Sequence, residues 1–119
     1  MSSIYQEIIL DHYHSPHNFG ELDSADLNAE VSNSSCGDKI YMQAKVKNDR
    51  IIVIKFKGVG CAISLACASL LTDFVKGKTI KELKKINTST ILDLLGIELS
   101  PNRLKCALLP LEGLNKLLS

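Results

Sequence analysis

Neither sign of charge dominates this chain: 14 Lys and Arg stand against 13 Asp and Glu, a formal net charge of +1. Without a charge excess there is no long-range field to gather a polyanion, which speaks against nucleic acid as a partner. Long apolar runs are missing too. None reaches the roughly 18 residues that cross a bilayer, and the opening MSSIYQEIILDHYH carries acidic residues inside its apolar stretch, unlike a secretory signal. The sequence therefore predicts a cytoplasmic protein that needs no membrane. Internal repeats, low-complexity tracts and a CxxC knuckle are absent as well. With 119 residues the expectation is one domain, 1–119, able to bury a core without covalent staples.

What is present begins with a helical pattern, Ile4, Ile8 and Ile9, that fades near Tyr13, before His-Ser-Pro-His-Asn-Phe-Gly breaks it at Pro16. Residues 21–35 are polar and predict a loop with a short edge strand around Ala29 to Val31. From Lys39 the period becomes two, with Ile40, Met42, Ala44 and Val46 on one side. A Lys-Asn-Asp-Arg turn and the β-branched run IIVIKFKG complete an antiparallel hairpin. After Gly58-Val59-Gly60, the run AISLACASLLTDFVKG predicts a helix with a stripe of Ile63, Cys67, Leu70 or Leu71, and Phe74, closed by Gly77. Two short helices are expected after Thr79 and Thr88. The stretch IELSPNRLKC reads as a loop stopped by Pro101, and the final helix is placed near Lys105, with Pro110 kinking or delaying it.

Four cysteines in a chain expected in a reducing compartment point to metal binding or thiol chemistry rather than disulfides. Cys67 lies on the apolar stripe and reads as core. The other three, Cys36, Cys61 and Cys106, fall at element junctions. At the entrance of its helix, Cys61 meets unpaired N–H groups and the positive end of the helix dipole, both of which favour thiolate. The neighbouring glycines either leave room for a partner or only turn strand into helix. Asp38, two residues after Cys36, is either a fourth ligand or an ordinary turn residue. The histidines His12, His14 and His17 straddle a helix end and are not required by their spacing to converge.

In order, IYQEIILDHYHSPHNFG, SCGDKIYM, FKGVGCAIS, GK and RLKCALL resemble the iron–sulfur cluster assembly scaffold family that comprises IscU, the NifU N-terminal domain and SufU. The resemblance implies an α+β fold: a three-stranded antiparallel sheet, helices packed on one face, and a metal or cluster site at one tip. Carried over by residue, the ligands are Cys36, Asp38, Cys61 and Cys106, holding a transient [2Fe–2S] cluster or a zinc ion. Thiolates suit both, and one carboxylate keeps the site exchangeable. The implied partners are a cysteine desulfurase and recipient apo iron–sulfur proteins, with Cys106 or Cys36 as the first persulfide acceptor. The function implied is a scaffold rather than an enzyme, or alternatively a zinc-dependent sulfurtransferase. Lys105 stands where IscU-like members have His, and LSPNR departs from the Leu-Pro-Pro-Val-Lys segment, which argues against a specialised Hsp70 chaperone. Arg103-Leu104-Lys105-Cys106 is similar to SufU, while the 44 residues between Cys61 and Cys106 match the shorter IscU spacing, without SufU's insertion. His17 replaces the family's usual Arg.

Overall fold

The computed structural model describes residues 3–34 and 37–119. Its elements in chain order are α1 (Ser3–His14), β1 (Leu27–Asn33), β2 (Asp38–Lys47), β3 (Arg50–Val59), α2 (Ala62–Val75), α3 (Ile80–Leu83), α4 (Thr88–Leu95) and α5 (Pro101–Leu118). The strands form one antiparallel sheet in the order β1-β2-β3. The α+β architecture expected from the sequence is the one observed.

Alternation dictates which face of the sheet is covered. Ala29, Ile40, Met42, Ala44, Ile54 and Phe56 are buried, whereas Tyr41, Gln43, Lys55 and Lys57 lie on the opposite, more open side. Asn48 and Asp49 both adopt positive φ, 54° and 61°, the conformation a two-residue hairpin turn requires. The pairing slips between Lys45 and Val46, leaving Ile52 unmatched, so Ile51 and Ile54 both reach the core although an odd number of positions, three, takes one to the other. Helix α5 closes over β1 and β2 because Gly113 lets it approach: a Cβ there would sit 3.3 Å from Val31 Cγ2 and 3.4 Å from Met42 Sδ. Buried Leu109, Leu114 and Leu117 complete that layer with Leu71 and Val75 of α2.

Three local expectations need correction. The edge strand is seven residues, Leu27–Asn33, because β2 offers it a full ladder from Ala44 to Asp38. The α2 stripe runs through Ile63, Cys67 and Leu71, the second of the two leucines the sequence offered, and then Val75 in place of Phe74; Phe74 is half-buried and carries the Lys78 ammonium 4.3 Å from its ring centroid. The largest difference is at α5. Ser100 is its N-cap, accepting from the Arg103 N–H at 3.4 Å, and Pro101 is its first residue. A proline's missing N–H costs nothing there, so Pro101 starts the helix that it seemed to stop. Pro110 is carried inside the helix, withholding the N–H that would normally reach the Cys106 carbonyl. No helix among the described residues is long and apolar enough to cross a membrane.

Candidate metal centre

Three loops and helix ends meet at one end of the sheet. Gly37, at φ 74°, donates its N–H to the Asn33 carbonyl at 2.9 Å and turns β1 into β2, so that Asp38 enters the ladder opposite Asn33. Asp38 is 4% exposed, an unusual position for a carboxylate unless something engages it. One thing that does is Cys61, whose thiol donates to Asp38 Oδ2 across 3.7 Å.

Cys61 caps α2. Its backbone is extended, φ −76° and ψ 169°, and its sulfur accepts from the Ser64 N–H at 3.4 Å. A cysteine thus occupies the place usually given to Ser, Thr, Asp or Asn. The sulfur thus sits at the N-terminal end of the helix and is exposed. The glycines before it serve the protein itself: a Cβ on Gly60 would lie 2.5 Å from Ser64 Oγ and 3.0 Å from Asp38 Oδ1, and one on Gly58 only 2.1 Å from the Lys39 carbonyl oxygen. Room is consumed by Asp38 and Ser64, not held open for a visitor.

Cys106 arrives from α5, where the early helix start places it in the second turn, buried at 9% exposure, and not at a loop junction. One donor atom from each of Asp38, Cys61 and Cys106 lies within 4.8 Å of the others. Cys36, the fourth ligand expected from the sequence, lies outside the described residues. A cavity of ≈ 830 Å³ opens beside the cluster, lined by both cysteines and by Arg103 and Lys105 from the first turns of α5. These two cations supply positive potential where a thiolate or persulfide would stand.

Cys67 behaves differently. Fully buried, its thiol is pushed up to about 12 by loss of solvation, and it donates to the Ala107 carbonyl at 3.1 Å. The core reading holds for it. Alkylation by iodoacetamide at pH 8, followed by mass spectrometry, should modify Cys61 while leaving Cys67 unmodified until denaturant is added; equal labelling of the native protein would contradict this placement.

A small α+β fold that gathers two cysteine sulfurs and a carboxylate from β2, the N-cap of α2 and the second turn of α5 has the donor set of a metal- or cluster-handling module. Residues 4–118 match the family described as NifU-like N terminal domain, and the chain belongs to that family. Among its relatives is the iron–sulfur cluster assembly scaffold protein IscU 1 of Archaeoglobus fulgidus, 36% identical over 113 residues, covering 95% of this chain and 73% of that protein. Another is the zinc-dependent sulfurtransferase SufU of Bacillus subtilis, 32% identical over 133 positions, 98% of this chain and 90% of that one. That alignment is longer than the 119 residues of this chain, so the Bacillus protein carries residues absent here. The crystal structure of a protein described as an iron–sulfur cluster assembly scaffold for the SUF system, from Fervidobacterium islandicum AW-1, superposes with a TM-score of 0.83 at 29% identity, covering 98% of both chains.

Proposed function

We propose that the chain is a scaffold on which a labile [2Fe–2S] cluster is assembled and passed on, with Cys36, Asp38, Cys61 and Cys106 as its ligands. The observation that carries this reading is the convergence of Asp38, Cys61 and Cys106 within 4.8 Å, although 68 positions separate the first from the last. Relatives named as assembly scaffolds support it. Sulfur reaches the site from a cysteine desulfurase. A thiolate of this chain attacks the outer sulfur of the donor's persulfide; the new S–S bond forms on the acceptor, the donor's S–S bond breaks, and the donor leaves as thiolate. Cys106, sharing a cavity wall with Arg103 and Lys105, and Cys36 are the two candidate acceptors. Iron and sulfur are cargo here, and recipient apo iron–sulfur proteins take the product.

A second reading, a zinc-dependent sulfur acceptor, is favoured by one distance. A tetrahedral ion with bonds of about 2.3 Å to sulfur spaces its donors by roughly 3.8 Å, and Cys61 Sγ lies 3.7 Å from Asp38 Oδ2. That spacing suits two donors of one ion, and Cys106 offers a third donor within 4.8 Å of both. The SufU relative supports the same reading.

Anaerobic incubation with ferrous iron, cysteine and a desulfurase separates the two. Growth of sulfide-to-iron charge-transfer absorption supports the scaffold; tightly held zinc, faster cysteine turnover and no such absorption support the acceptor. Replacing the carboxylate tests its role in release. Asp38→Ala should slow transfer of a bound cluster to an apo-ferredoxin about tenfold, a change of about 1.4 kcal/mol in the barrier. Faster transfer would contradict the exchange role.

A further inference from the structure

At the far end of α2 a second group of ligating side chains comes together. Asp73 lies twelve residues beyond Cys61, which at 1.5 Å per residue is about 18 Å along the helix. There, one ligating atom from each of His12, His17 and Asp73 lies within 4.8 Å of the others. The two imidazole rings stand 4.5 Å apart, centre to centre, tilted by 49°. We propose that His12, His17 and Asp73 form a second cation site, for a borderline divalent ion such as zinc or cobalt, separate from the cysteine centre.

Each member is held in place by the fold. Ser69 Oγ accepts the His17 backbone N–H at 2.8 Å and meets His12 Nδ1 at 2.6 Å, tying the end of α1 and the following loop to α2. With Nδ1–H of His12 donated to that oxygen, the Nε2 lone pair is left for an ion, the arrangement by which metal-bound histidines are usually oriented. Asp73 Oδ1 accepts from Asn18 Nδ2 at 2.9 Å, while Oδ2 faces His17 Nδ1 at 2.5 Å. Asn18, at φ 63°, also donates to Thr72 Oγ1 at 2.9 Å, so the turn after Pro16 is fastened at two points. Lys76, 4.0 Å from Asp73 Oδ1, is a half-exposed cation beside the carboxylate.

The chemistry of the set is specific. Two imidazoles and one carboxylate leave open positions on a tetrahedral or octahedral ion, and nitrogen–oxygen ligation suits zinc, cobalt or ferrous iron rather than the softer ions that thiolates select. A cavity of ≈ 360 Å³ adjoins it, lined by His12, His17, His14 and Asp11, which leaves space for water or a further ligand. Burial keeps His12 below the ordinary histidine range, helped by the neighbouring His17 and opposed by the carboxylates of Asp73 and Asp11.

Titration of the full chain with zinc under anaerobic conditions should reveal a second equivalent. With cobalt, the first equivalent should produce the intense near-ultraviolet thiolate-to-metal absorption of the cysteine centre, and the second only weak visible bands. His17→Arg places a cation opposite Asp73 while removing the imidazole, and Asp73→Asn keeps the shape of the side chain. Each should weaken the second equivalent about a hundredfold or more while leaving the near-ultraviolet bands and the circular dichroism unchanged. Uptake of one equivalent by the unsubstituted chain, or a second that persists in both variants, would overturn the site. Neither result bears on whether the cysteine centre carries a cluster.

Discussion

Cys61→Ala should lower the affinity of the cysteine centre for zinc at least about a hundredfold, a loss of about 3 kcal/mol out of the ten or more that a structural zinc contributes. The cause is double. One ligand disappears, and the N-cap of α2 goes with it, since the Cys61 sulfur is what the Ser64 N–H contacts. Cys61→Ser separates the effects, because a serine restores a good cap without a good thiolate. Thermal stability of the metal-free Cys61→Ser protein should equal or exceed that of the original chain, whereas zinc affinity, measured by competition with a chromophoric chelator, should stay low. Recovery of affinity in the serine variant would mean that the sulfur is only a cap.

The Gly58→Ala substitution should damage the sheet itself. Gly58 pairs with Ile40, and a Cβ on it would lie 2.1 Å from the Lys39 carbonyl oxygen and 3.2 Å from Ile40 Cα. Those atoms are backbone, unable to rotate away, so β2 and β3 must separate at the end where Asp38 begins its strand. A cost of about 3 kcal/mol is expected, the upper part of the range for overpacking, read as a lower urea midpoint with unchanged slope. Gly37→Ala provides the contrast. Its Cβ would meet nothing within 4 Å, leaving only the cost of a positive φ of 74°, about 1–2 kcal/mol. Equal midpoints for the two variants would refute the close approach at Gly58.

Much of this arrangement was legible in the sequence because it is written in local chemistry. The period of two from Ile40, the Asn-Asp turn and the Gly-x-Gly-Cys entrance to α2 each report on a few adjacent residues, and each holds. The assignment of Asp38, Cys61 and Cys106 to one site drew instead on resemblance, since spacing alone gave no such signal. The misreadings share a different origin. Pro101 is ambiguous until Ser100 is recognised as the cap in front of it, and moving the start of α5 forward places Cys106 inside the helix. The slip that leaves Ile52 unpaired is a property of two strands together. Likewise His12 and His17 converge through Ser69 and Asp73, more than 50 positions away, so no inspection of the spacing near Pro16 could have joined them.

The central claim is that side chains from positions 36, 38, 61 and 106 grip the same ion. X-ray absorption at the zinc edge, on the full chain loaded anaerobically with substoichiometric zinc so that only the tightest site fills, tests it most directly. The account predicts a shell of three sulfur atoms at about 2.3 Å and one oxygen at about 2.0–2.2 Å. A first shell of nitrogen and oxygen alone, or one unchanged by Cys106→Ser, would contradict it.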